Sequence, residues 1–156
     1  IQDSKRVWIH DNSFTVGHQD DPTEADKDHG DGSCDAKRSD HVTISYNHFY
    51  ATAKTCLLGS SKNDREDVGH YSYHHNFFEN AEQRLPRIRW HDVHIYNNYY
   101  KHVGYDLDTG NKAGYGIGAA CNASIFAENN YFENIFPILS INFEIKFSGS
   151  TIFDTG

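Results

Sequence analysis

Five stretches of the chain are variants of one eight-residue phrase: VWIHDNSF (7–14), VTISYNHF (42–49), YSYHHNFF (71–78), VHIYNNYY (93–100) and IFAENNYF (125–132). The sixth position is always Asn (Asn12, Asn47, Asn76, Asn98, Asn130), and the eighth is always aromatic (Phe14, Phe49, Phe78, Tyr100, Phe132). A phrase that recurs along one chain constrains the fold more than any local propensity does. The successive Asn positions differ by 35, 29, 22 and 32 residues. A constant phrase at a variable period means constant strands joined by loops of variable length. Each phrase is rich in Val, Ile, Tyr and Phe and alternates in its first half, so it reads as a short strand. The gap of 22 leaves no room for a strand, a crossover helix and a return, but it suits one coil of a β-solenoid with like strands stacked in parallel.

In such a coil the Asn is expected at a bend, in left-handed geometry, with its amide bonded to the Asn one coil above and below. The aromatic two residues later is expected to stack on its counterparts. The fold class predicted is therefore all-β, a solenoid with Asn and aromatic ladders. Five matches at two coupled positions set this apart from a chance run of Asn-rich loops.

The chain has 156 residues, enough for one domain. No apolar run approaches the roughly 18 residues of a membrane span, so no membrane partner is expected. The net charge of -8 argues against nucleic acid. Within that acidic balance RLPRIR (84–89) carries Arg84, Arg87 and Arg89, a local site for an anion. Cys34, Cys56 and Cys121 have no metal-type spacing, leaving one pair and a free thiol or three free thiols. Asn122-Ala123-Ser124 fits an N-glycosylation sequon.

Polar loops are expected over 15–33, 59–69 and 101–120, with further short strands over 33–37 and 54–58. The phrase stops after Ile135, and neither end shows the cap that shields a terminal solenoid coil. The 156 residues are therefore expected to be a single β-helix domain, a central portion of a longer protein.

Three constellations bear on chemistry. In HGDGSCDAK, Asp31 and Asp35 flank a Gly-permitted turn, which suits an oxygen-preferring cation or a plain solvated loop. Lys54 precedes an apolar run in TAKTCLL and alone reads as an edge-strand lysine. In QRLPRIRW, Arg87 and Arg89 share a strand face if extended, with Arg84 reached across the Pro86 bend. Of the eleven histidines, His70, His74 and His75 could suggest a transition-metal site. His74 and His75 are expected on opposite strand faces and His70 ahead of the strand, which favours a structural or surface role.

Taken in this order, VWIHDNSF, DGSCDAKRSDHVTISYNHF, KTCLLGSS, HHNFFENAEQRLPRIRWHDVHIYNNYY and AENNYFENI resemble polysaccharide lyase family 1, the pectate lyases, over about residues 3–135. The resemblance implies a right-handed parallel β-helix, secreted and monomeric, that cleaves de-esterified polygalacturonate by β-elimination with Ca²⁺ as cofactor. It implies Asp31 and Asp35 as Ca²⁺ ligands, Lys54 as a binder of a substrate carboxylate, Arg84 as the base at C5, and Arg89 with Arg87 assisting binding. Three departures stand out. A further family aspartate would lie upstream of Ile1. His10-Asp11 reverses the family order. Trp90-His91 replaces the Gly after the last arginine.

An arginine base requires a neutral guanidine, which neighbouring cations favour, so an alkaline optimum is expected. Two rivals remain. A pectin lyase acting on methylated chains is disfavoured by Asp31, Asp35 and Lys54. A non-catalytic β-solenoid that binds acidic polysaccharide would not require RLPRIR.

Overall fold

The computed structural model describes residues 1–15, 32–63, 68–141 and 151–155. Three parallel sheets line a coiled chain, and among the described residues there is no helix. The first sheet stacks β1 (Lys5–His10), β3 (Asp40–Ser45), β6 (His70–His74), β9 (Asp92–Tyr96), β12 (Ser124–Glu128) and β15 (Thr151–Asp154). The second stacks β2 (Ser13–Thr15), β4 (His48–Tyr50), β7 (Phe77–Glu79), β10 (Tyr99–Val103) and β13 (Tyr131–Ile135). The third stacks β5 (Leu57–Leu58), β8 (Arg87–Arg89), β11 (Ile117–Ala120) and β14 (Leu139–Ile141). Every pairing between these strands is parallel, and each coil climbs by one strand spacing, about 4.8 Å. This is the parallel β-helix expected from the repeat.

The two halves of each phrase form strands of different sheets, so the sixth-position Asn lies at the corner between them. Its register is strict: Ile9, Ile44, Tyr73, Ile95 and Ala127 form one inward file. Asn47 Nδ2 donates to Asn76 Oδ1 (3.2 Å) and Asn76 Nδ2 to Asn98 Oδ1 (3.0 Å). Asn12 and Asn98 continue the ladder to Asn47 (3.1 Å) and Asn130 (3.0 Å). Each ladder Asn from Asn47 onward also donates to a first-sheet carbonyl of the preceding coil, as Asn76 does to Ile44 O (2.8 Å). These bonds satisfy polar groups that would otherwise be buried unpaired.

One expectation is corrected in detail. Left-handed geometry belongs to the residue before each Asn: Asp11, Tyr46, His75, Asn97 and Asn129, with φ between 53° and 56°. The Asn itself keeps an ordinary backbone, which leaves its side chain aimed along the stack. Holding a non-glycine residue in that region costs about 1 kcal/mol or more, and the ladder bonds at each corner offset it.

Phe14, Phe49, Phe78, Tyr100 and Phe132 form a continuous stack with centroids 4.8 to 4.9 Å apart. Phe49, Phe78 and Tyr100 are fully buried, so this ladder runs inside the coil. His48, Phe77 and Tyr99 make a second stack one residue earlier, at 4.7 and 4.8 Å. Stacked pairs contribute about 0.5–1.5 kcal/mol each beyond area burial.

Other expectations change. Residues 101–120 are not one loop, because β10 runs on to Val103 and β11 begins at Ile117. Short strands over 33–37 and 54–58 reduce to β5 with single pairings of Lys37 to Gln2, Ala36 to Leu58 and Lys54 to Gln83. A terminal strand the sequence did not suggest, β15, pairs with β12. All three cysteines are buried free thiols.

Candidate functional site

The third sheet is the wall that gathers the charged candidates. Its inward positions are apolar: Cys34, Ala36, Cys56, Leu58, Leu85 and Ile88 are buried. They anchor the backbone and leave the alternate positions Asp35, Leu57 and Arg87 facing out. Backbone bonds lock successive coils together: Gly32 N donates to Lys54 O (2.8 Å), Ala36 N to Leu57 O (2.8 Å), Thr55 N to Gln83 O (3.1 Å) and Cys56 N to Arg84 O (2.8 Å). Asp35, Lys54 and the three arginines thus come from three consecutive coils of one wall, although they are up to 54 positions apart in the chain (89 less 35). Asp31 lies outside the described residues.

Asp35 is exposed, and its Oδ1 accepts from Leu57 N (2.8 Å). Oδ2 turns back over Gly32, the residue that follows Asp31 in sequence. Gly32 has φ 90°, and a Cβ there would collide with that oxygen. Glycine at this turn is therefore what lets the carboxylate fold in. A hard oxygen ligand held by a backbone amide, with a second carboxylate adjoining the turn in sequence, suits the donor chemistry of Ca²⁺. A shallow groove lined by Asp35, Lys37, Leu57 and Ser60 runs beside it.

Arg84 lies where the register slips. Lys54 pairs with Gln83, yet Leu57 pairs with Arg87, so the arginine coil holds one extra residue in between. Arg84 takes φ 64° there. Such bulges re-aim a side chain out of the regular alternation. Arg84 is half-buried, and its Nε has no hydrogen-bond partner among the described residues. The bulge spans the Leu85-Pro86 pair, in agreement with the bend expected there.

Arg87 is half-buried on the outward file, between Leu57 and Gly118. Arg89 is only 9 % exposed, and its Nη1 donates to Gly59 O (3.0 Å). Arg89 therefore ties its guanidinium into the corner after β5, while Arg87 stands more open. Trp90, with φ 63°, packs on Ala120 and Cys121 and donates to Ser61 O (3.3 Å), closing that end of the wall. The neighbouring thiols are inert: burial pushes Cys34 up to about 11 and Cys56 well above its ordinary value.

A second cluster was missed from sequence. Asp40, His41 and His70 come together on the first sheet, away from this wall. Two histidine expectations are corrected with it. His70 opens β6 instead of preceding it. His74 and His75 do not point to opposite faces: their Nδ1 atoms lie 3.0 Å apart, because φ 54° at His75 breaks the strand alternation. No motif spacing could bring His70 to the adjacent pair Asp40 and His41, since that contact runs between coils.

Comparison with known proteins agrees with this architecture. The family model for pectate lyases matches residues 1–154. A pectate trisaccharide-lyase of Bacillus licheniformis is 36 % identical over 132 residues, 84 % of this chain and 34 % of the relative. Among solved structures, a Bacillus pectate lyase in complex with trigalacturonate superposes with TM-score 0.69 at 38 % identity, over 83 % of this chain and 37 % of that one. Pectate lyase C of Erwinia chrysanthemi, solved at pH 9.5 with 30 mM Ca²⁺, superposes with TM-score 0.69 at 28 % identity, over 97 % of this chain and 46 % of that one. The chain spans about a third of the length of the curated relative. With the repeat, the ladders and the charged wall, these matches show that the chain belongs to the pectate lyase family.

Proposed function

We propose that this chain carries the catalytic wall of an enzyme that cleaves de-esterified polygalacturonate by Ca²⁺-assisted β-elimination. The observation behind this reading is that Asp35, Lys54 and Arg84 stand on consecutive coils of one wall. Support comes from the Bacillus relative solved with trigalacturonate and the Erwinia relative solved with Ca²⁺.

In this reading Arg84 takes the proton from C5 of a uronate. The electron pair left behind forms the C4–C5 double bond as the C4–O bond to the neighbouring sugar breaks; the departing oxygen takes a proton from solvent to give a free hydroxyl, and Arg84 returns the C5 proton to solvent. The proton at C5 lies next to a carboxylate, so its removal builds a second negative charge there. Lys54 and Arg87 hold fixed positive charge beside that anion, and Arg89 adds to it from its anchored position. One such charge at about 4 Å contributes roughly 4 kcal/mol at an effective dielectric near 20, about three powers of ten in rate. Asp35, together with Asp31, would hold Ca²⁺, the polymer's own carboxylates completing the oxygen shell. When bound, Ca²⁺ neutralises substrate charge and acts as a Lewis acid.

A polymer of this kind is met outside the cell, so the enzyme is read as secreted; a working monomer is part of the same proposal. Asn122 of the glycosylation sequon is exposed in a turn, open to a glycan.

The test is product formation from polygalacturonate and from methylated pectin, each with and without chelator, followed by ultraviolet absorbance of the unsaturated product. Chelator-sensitive product from polygalacturonate alone is expected. Product from methylated pectin that survives chelation would favour a pectin lyase. Binding of polygalacturonate without any product would favour a non-catalytic solenoid.

A further inference from the structure

We propose that Asp40, His41 and His70, with Asp92 beside them, form a second metal site, selective for a borderline divalent ion such as Zn²⁺ and separate from the Ca²⁺ wall. The donors come from the leading ends of two stacked strands, β3 and β6, on the first sheet. Asp40 Oδ2 lies 2.7 Å from His41 Nδ1, and Asp40 Oδ1 lies 3.0 Å from His70 Nδ1. One ligand atom from each of the three residues can be chosen so that all lie within 4.8 Å of one another. Asp92 Oδ2 stands 4.0 Å from the other ring nitrogen of His70, Nε2, on the far side from Asp40, where it would orient the ring instead of binding the ion. Donors around a tetrahedral Zn²⁺ stand about 3.3 Å apart, so small side-chain rotations would close the shell.

The backbone under the cluster is already set. Consecutive strand residues normally point to opposite faces. His41 has φ 55°, which breaks the alternation and brings its ring to the Asp40 carboxylate. His70 N donates to Asp40 Oδ1 (3.0 Å), and Tyr71 Oη donates to Ser39 O (2.9 Å). Gly69 runs so close to Ser39 O that a Cβ would not fit there. These contacts hold two coils at one spacing without help from an ion, the preorganisation a metal site needs. The side chains of His41 and His70 remain about two-thirds exposed, so an ion can reach them.

The donor set decides the class of ion. Two imidazoles and one carboxylate suit Zn²⁺ or its transition-metal neighbours, whereas Ca²⁺ takes oxygen ligands. The Asp40 carboxylate would offset part of the double positive charge, with Asp92 adding to it through His70. The ion would clamp coils 30 residues apart in sequence. It would stabilise the folded chain by mass action, because the unfolded chain does not hold these groups together. The inference does not depend on the lyase reading, since it uses a different sheet.

The experiment is calorimetric titration of Zn²⁺ into the metal-stripped chain in the presence of excess Ca²⁺, with the thermal midpoint followed in parallel. One saturable Zn²⁺ site is expected, with a raised midpoint. The site should persist in the H74Q/H75Q double variant and weaken by about tenfold or more in H41Q and in H70Q. Absence of saturable Zn²⁺ binding, or unchanged affinity in both H41Q and H70Q, would overturn the proposal and leave simple carboxylate–imidazole pairs. If a variant fails to fold, Co²⁺ bound to the unaltered chain supplies the second reading. A strong visible band of a four-coordinate nitrogen–oxygen site supports the proposal, and only weak octahedral absorption overturns it.

Discussion

Asp35 and Arg87 flank Leu57 on the outward face of the third sheet: Asp35 Oδ1 accepts from the Leu57 amide, and Leu57 pairs with Arg87 on the other side. The backbones of a carboxylate residue and a guanidinium residue are thereby held two strand spacings apart, about 10 Å, across the Leu57 strand.

Arg84→Lys keeps a positive charge but moves the base. Product formation from polygalacturonate is expected to fall by about 10²–10⁴, with binding of the polymer kept. Initial rates by ultraviolet absorbance and calorimetric binding check the two halves separately. A rate within a few-fold of the parent would remove Arg84 as the base.

Asp35→Asn removes the charge yet keeps an oxygen for the Leu57 amide. The Ca²⁺ concentration for half-maximal activity should rise tenfold or more, while folding stability changes by less than about 0.5 kcal/mol. Asp35→Ala also loses the hydrogen bond and should cost about 1 kcal/mol more. Calcium titrations and urea unfolding of both variants distinguish charge from scaffold.

Asn76 sits in the middle of the ladder and is buried, with bonds to Ile44 O, to Asn98 Oδ1 and from Asn47. Asn76→Ala leaves several buried groups unpaired and should cost about 3 kcal/mol. Asn12→Ala, at the exposed end of the ladder, should cost less than about 1 kcal/mol. Equal losses in chemical denaturation would show that the ladder is not what holds the corners.

Stability should fall at both ends of the pH range, with an earlier decline below about pH 6.5 from His74, whose imidazole is held below its ordinary value by burial and by His75 and His94. The Arg38 guanidinium, bonded to Asp3 at 2.6 and 2.7 Å, holds that carboxyl down at about 2, and contacts with His70 and then His41 hold Asp40 low as well. Folded values depressed below the ordinary 3.8 add stability that is present above about pH 4 and lost as pH falls toward 2. Burial raises Cys34 from 9.0 to about 11, and the Glu133 contact raises Tyr99 from 10.0 to about 12. Raised folded values add stability that is present below the ordinary values and lost as pH climbs through 11 to 12. Circular dichroism across this range checks both edges. An alkaline activity optimum would sit below the upper one.

Much of this protein was legible in the chain because a β-helix writes its fold locally. Every coil must place an Asn at the corner and an aromatic two residues later, so Asn12 through Asn130 and Phe14 through Phe132 announce stacked parallel coils before any contact is known. Asp35, Lys54 and Arg84 were likewise legible as candidates through the motifs around them. What the tertiary structure decided is whatever depends on the register between coils. It put the left-handed turn on the residue before each Asn, slipped the register by one at Arg84, and drew Arg89 into the Gly59 corner while leaving Arg87 on the outward face. It also set His41 and His70 against Asp40. The physical reason is one of range: strand alternation and corner chemistry act over two or three residues. Which side chains meet across a 4.8 Å coil spacing depends on loop lengths that carry no pattern of their own.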